Sequence, residues 1–132
     1  MIIGSPENAI KLLNDGGIIG YPTEAVFGLG CDPWNEKSVN RISNIKNRKK
    51  NKTFLLVGSN IDQLASLIDV DTISKEARSS WPGHVTWLMP ARNDAPSWLI
   101  DKETGLIGIR VSDHPVINAI CNKFQNPIIS TS

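Results

Sequence analysis

The sequence has 132 residues, 40% of them hydrophobic, with 14 Lys+Arg against 13 Asp+Glu. That length suits one compact domain spanning 1–132 with a core of its own, and a mostly disordered chain is excluded. A formal charge of +1 excludes a globally basic nucleic-acid binder and a polyanion mimic, though not a local patch.

Ser5-Pro6-Glu7 opens a first helix with an N-cap hydroxyl and a first-turn proline. Ala9, Ile10, Leu12 and Leu13 form its apolar face, and Gly16-Gly17 end it. Ile18 to Tyr21 reads as a buried strand stopped by Pro22, and Thr23 to Asp32 as a strand interrupted at Gly28 and Gly30. Asn35 caps a second helix with Val39, Ile42 and Ile45 facing inward. A strand over Thr53–Val57 follows, then a helix capped by Asn60 through Leu64, Leu67 and Ile68, and a polar helix near 72–80.

Trp81-Pro82-Gly83 reads as a turn, and Val85–Met89 and Leu106–Val111 as strands. Asp113 is expected to cap a last helix containing Val116, Ile117, Ile120 and Phe124. Pro127-Ile128-Ile129 opens a final strand. Interleaved helices and strands predict an α/β fold with one twisted, open, mixed sheet and flanking helices. Because a domain seldom finishes at the tip of a strand with its edge uncovered, the closing Ser130-Thr131-Ser132 suggests a fragment lacking a C-terminal part.

Several chemistries lose support at once. The sequence contains no GxxxxGK[ST], GxGxxG, HExxH or GxSxG pattern. Cys31 and Cys121 lack metal-ligand spacing, so no metal ligands are expected from the chain itself. No leader or membrane span is evident, which predicts a soluble, cytoplasmic protein with no membrane role.

The clearest local feature is basic. Arg41, Lys46, Arg48, Lys49, Lys50 and Lys52 supply six of the fourteen cations within twelve residues. Such a run is either a solvated helix end or a site for polyphosphate or RNA. Lys46 and Arg48 can converge on one anion only if the helix ends between them. Thr23 follows a buried strand, where a hydroxyl serves either the local turn or a ligand. Arg110 lies inside the apolar stretch Ile107–Val111 and requires an anionic or carbonyl partner, internal or bound. His114 is expected to serve the helix start rather than catalysis, and the four tryptophans to pack rather than stack on bases.

These pieces occur in one order that resembles a known family. Tyr21-Pro-Thr-Glu-Ala-Val-Phe-Gly-Leu-Gly30 resembles the PTE signature of the YrdC/TsaC family, and Lys46-x-Arg48 its KxR motif. Trp81-Pro-Gly-His-Val-Thr86, Arg110-Val-Ser-Asp-His-Pro115 and Pro127-Ile-Ile-Ser-Thr-Ser132 are similar to its later motifs, the last to the start of STSAN. The resemblance spans nearly the whole chain. Phe27, Lys49, Lys52 and Val57 depart from common family residues in ways that match the shorter TsaC branch.

The resemblance implies an L-threonylcarbamoyladenylate synthase acting in tRNA threonylcarbamoyladenosine modification, with a YrdC/RibB-like fold. It implies that L-threonine, bicarbonate and ATP are substrates, and that Mg2+ accompanies ATP. Lys46 and Arg48 would act on the triphosphate as catalytic groups, with Lys52 and Ser132 also on the nucleotide. Thr23, Arg110 and Ser130 would hold threonine. Proteins that transfer the threonylcarbamoyl group downstream, and tRNA or RNA itself, are the implied partners. A non-catalytic RNA-binding module using the basic run is the alternative, and steep salt dependence without need of threonine would distinguish it. The carbamoyl-transfer domain of hydrogenase maturation proteins is a third reading, which expects attached acylphosphatase and zinc-finger segments.

Overall fold

Helix α1 (Pro6–Asn14) starts where its capping residues require. The Ser5 hydroxyl accepts the Asn8 N–H at 3.3 Å, and Pro6 occupies the first turn, where its missing N–H has no partner to lose. The chain leaves the helix through Gly16 at φ +81°, a backbone conformation favouring glycine. The structure is a computed structural model describing residues 5–22, 27–47 and 53–131.

The remaining elements are β1 (Ile19–Pro22), β2 (Phe27–Cys31), α2 (Glu36–Ile45), β3 (Leu55–Gly58), α3 (Lys75–Ser80), β4 (Trp87–Pro90), β5 (Leu106–Val111), α4 (Pro115–Phe124) and β6 (Ile128–Thr131). The strands form one open sheet in the order β1-β2-β6-β3-β5-β4. The β3–β5 pair is parallel and the other four described pairs are antiparallel. The mixed α/β sheet expected from the sequence is therefore the observed one.

The last strand is not a sheet edge. Ser130 of β6 pairs with Gly30 of β2 on one side and Leu55 of β3 on the other. Burial goes with the insertion: Ile128 and Ile129 are both fully buried, on opposite faces of the sheet.

Strand alternation divides the core into two layers. Ile18, Cys31, Leu56, Ile109 and Ile129 pack with Val39 and Ile42 of α2 and Ala77 of α3. Ile19, Tyr21, Val57 and Ile128 face the other way, packed with Ala9 and Leu13 of α1 and Ile117, Ile120 and Cys121 of α4.

Four local expectations need correction. The helix expected after Asn60 is a pair of 3-10 segments, Ile61–Ser66 and Val70–Thr72, although Asn60 does accept the Gln63 N–H at 3.1 Å. Leu64, Leu67 and Ile68 are nevertheless buried in the core, as their spacing expects. Ile45 is 58% exposed, because the last turn of α2 outruns the layer that buries Val39 and Ile42. Asp113 is exposed, and His114 caps α4 instead, its Nδ1 accepting the Val116 N–H at 3.2 Å. The strand expected from Val85 begins at Trp87, and Val85 is exposed.

The tryptophans are structural, as expected. The indole N–H groups of Trp81, Trp87 and Trp98 donate to Val85 O, Ser80 Oγ and Pro33 O, and all three rings join the first core layer. Among the described residues no helix is long and apolar enough to cross a membrane.

The caps carry a measurable share of stability. Asn35 accepts the Ser38 N–H at 3.2 Å at the start of α2. Asn35→Ala is expected to lower the unfolding free energy by about 1 kcal/mol, read as a lower urea midpoint at unchanged slope.

Candidate functional site

Three strands deliver polar side chains to the face that carries α1 and α4. Arg110 of β5 pairs with Val57 of β3, which pairs with Ile128 of β6, so the three share that face. Ser130, two residues beyond Ile128, and Tyr21, two beyond Ile19, point the same way. The helices leave the β5–β4 end of this face open: Leu88, paired with Gly108, is 67% exposed.

Arg110 is partly buried, and its Nε is a buried donor with no hydrogen-bond partner among the described residues. An unmatched buried donor costs about 1–3 kcal/mol, and more when it belongs to a charged group. Neither the Arg92–Asp94 nor the Lys123–Glu7 ion pair engages Arg110. A guanidinium in an apolar strand with its Nε unmatched is suited to a carboxylate. The second buried side-chain atom without a partner, the acceptor Asn118 Oδ1, belongs to α4, the helix packed on this same face.

Ser130 is held by Tyr21, whose hydroxyl lies 2.5 Å from Ser130 Oγ. Tyr21 is fully buried, and burial pushes its pKa up to about 12. The Ser130 hydrogen bond and, more weakly, the positive charge of Arg110 oppose that rise. The phenol, the serine hydroxyl and the guanidinium thus belong to one electrostatic neighbourhood.

The basic segment meets the condition set by its spacing. Helix α2 ends at Ile45, Lys46 closes it, and Asn47 follows at φ 51°, turning the backbone out of the helical path before residue 48. Thr23, Arg48, Lys52 and Ser132 lie outside the described residues; Lys46, Arg110 and Ser130 lie within them. Among the described residues no group of three or more His, Cys, Asp or Glu could hold a metal. Cys31 and Cys121 are buried free thiols, each pushed up to about 12 by burial, which leaves neither as a nucleophile.

Tyr21 is the residue that reading along the chain passes over as a strand filler. The available signal is a phenol in an otherwise apolar strand, which needs a hydrogen-bond partner once buried.

Comparison with known proteins decides the family. The family model Sua5_yciO_yrdC, described as "Telomere recombination", matches residues 11–132. The chain belongs to the Sua5/YciO/YrdC family. Threonylcarbamoyl-AMP synthase of Wigglesworthia glossinidia brevipalpis is 46% identical over 132 aligned residues, covering 95% of this chain and 68% of that protein. The protein of the same name from Xylella fastidiosa strain M12 is 43% identical over 128 residues, covering 94% and 68%.

Among solved structures, E. coli YciO superposes with a TM-score of 0.84 at 26% identity, over 96% of this chain and 62% of that one. P. abyssi Sua5, solved in complex with L-threonine, superposes at 0.83 with 24% identity, over 96% and 38%. The latter likeness is one of fold. This Sua5/YciO/YrdC chain accordingly has the family's mixed sheet, with Arg110 and Ser130 on one face of it.

Proposed function

We propose that this chain forms L-threonylcarbamoyladenylate and pyrophosphate from L-threonine, bicarbonate and ATP. The observation that carries the reading is the buried, unpartnered Arg110 Nε on the face it shares with Ser130. A guanidinium and a hydroxyl on one sheet face suit an amino-acid carboxylate, in a chain more than 40% identical to threonylcarbamoyl-AMP synthases.

In the proposed reaction the threonine amine and bicarbonate join as a carbamate with loss of water. A carbamate oxygen then attacks the α-phosphorus of ATP, and pyrophosphate leaves. No covalent bond to the protein is needed, so positioning and charge stabilisation supply the acceleration. Arg110 holds the threonine carboxylate, while Ser130 and Thr23 line the amino-acid site. Lys46 and Arg48 meet the triphosphate as catalytic cations, joined by Lys52, and Ser132 donates to the nucleotide. Magnesium comes with ATP, where it neutralises phosphate charge. The adenylate passes to proteins that transfer threonylcarbamoyl to tRNA, in the cytoplasm, the chain working as one YrdC-like domain.

Pyrophosphate release, with threonine and bicarbonate each omitted in turn, tests the reading. Release requiring both is expected; release indifferent to threonine would sink it. Arg48→Ala is expected to lower kcat/KM for ATP by roughly 10- to 100-fold, since hydrogen bonds to charged groups contribute about 1.5–3 kcal/mol. An unchanged kcat/KM for ATP would remove Arg48 from the triphosphate site.

A further inference from the structure

Tyr21 of β1 and Ser130 of β6 belong to strands separated by β2, and Gly30 is the β2 residue paired with Ser130. A Cβ on Gly30 would lie 3.2 Å from Tyr21 Cε1 and 2.7 Å from the Ile129 carbonyl oxygen. Bare backbone at this point lets the tyrosine ring lean across β2 to reach Ser130. The ring is fully buried in the layer under α1 and α4, so packing sets its direction before the hydroxyl bonds anything.

A phenol has one proton to give, whereas a serine hydroxyl has one proton and two acceptor sites. Buried Tyr21 keeps its proton throughout the neutral range. When Tyr21 donates to Ser130 Oγ, the serine proton must turn elsewhere and is free to serve an acceptor on the face that Ser130 shares with Arg110. The opposite arrangement would leave Ser130 presenting only lone pairs there, which suits no anion. An anion bound by Arg110 therefore selects the first arrangement.

We propose that Tyr21 is a positioning residue, which crosses β2 over Gly30 to orient the Ser130 hydroxyl as a donor toward an anionic oxygen of the amino acid held by Arg110. The inference rests on the reading that Ser130 lines the threonine site. It adds a specificity device: an anionic oxygen is met by a donating hydroxyl, whereas a cationic or donor group would have to turn the Tyr21–Ser130 pair the other way.

Tyr21→Phe retains the ring and removes only the hydroxyl. In pyrophosphate-release assays of the whole chain, it is expected to raise KM for L-threonine roughly three- to tenfold, with kcat and KM for ATP nearly unchanged. In a Ser130→Ala background the same substitution should have almost no further effect, because the oriented group is gone. Melting temperatures of all four proteins identify any general loss of structure. An unaltered KM for threonine in Tyr21→Phe overturns the inference and leaves the synthase reading standing. So does an equal effect with and without Ser130, or a parallel loss of kcat, both KM values and melting temperature. Absence of threonine-dependent release from the unsubstituted chain overturns both.

Discussion

Arg110→Ala is expected to raise KM for L-threonine by roughly 10- to 100-fold and yet leave the folded chain as stable as before, within about 1 kcal/mol, or more stable. The two halves of that expectation come from one observation. Arg110 Nε is buried without a hydrogen-bond partner among the described residues, so the ligand-free chain carries a desolvation cost that alanine removes. Loss of the packed aliphatic stem works the other way and keeps the gain small. In the proposed threonine complex the same guanidinium would gain a carboxylate in a setting of low dielectric, so its loss is expected to be felt fully.

Threonine should accordingly raise the melting temperature of the unsubstituted chain and not that of Arg110→Ala. Arg110→Lys keeps the charge but loses the fork, and an intermediate KM is expected. If Arg110 were instead part of an internal ion pair, truncation would cost about 3–5 kcal/mol. A loss of that size by urea unfolding, with KM for threonine unmoved, would refute the assignment.

Gly30→Ala is expected to damage stability and the site together. The new Cβ has 2.7 Å to the Ile129 carbonyl oxygen, which belongs to the backbone of β6 and cannot swing away. Either the β2–β6 pairing opens or the strands shift, at about 1–3 kcal/mol. The second contact, 3.2 Å to Tyr21 Cε1, pushes the ring off the line that joins it to Ser130. KM for threonine should therefore rise alongside the loss of stability.

Gly108→Ala is the matched control on the same face. There a Cβ would meet only side-chain atoms, Leu88 Cδ2 at 3.5 Å and Thr86 Cγ2 at 3.7 Å, which is ordinary contact. Replacing a strand glycine without strain is neutral or stabilising by roughly 0.5–1 kcal/mol, because the unfolded chain loses freedom. Equal effects from the two substitutions in urea unfolding would show that close approach at Gly30 is not what matters.

Residues near one another in sequence could be read without the fold. Ser5 and Asn35 cap the helices expected, and Asn60 caps at the position expected although a 3-10 segment follows, because a cap bonds an N–H two or three residues ahead. Even so, a local rule chose Asp113 over His114, since both can accept an N–H and only the path of the chain decides which faces it. The need of Arg110 for a partner was also legible, because a charge inside an apolar run carries that requirement wherever it folds. The ordered motifs placed the chain in its family, since the glycines, the Lys46-x-Arg48 pair and the Arg110 stretch are each short-range patterns.

Tertiary structure alone decided what those groups meet. β6 enters between β2 and β3, a pairing across about a hundred residues that no local periodicity encodes. That insertion brings Ser130 to Tyr21, 109 positions away, over a glycine whose missing side chain reads in the sequence only as a strand interruption. It also turns Arg110 and Ser130 to one face while α1 and α4 cover only part of it. The motifs and the lone strand arginine were thus written along the chain. The sharing of one face by Arg110, Ser130 and Tyr21 depends on strand order and side-chain alternation across the sheet, which exist only after the chain has closed its long-range contacts.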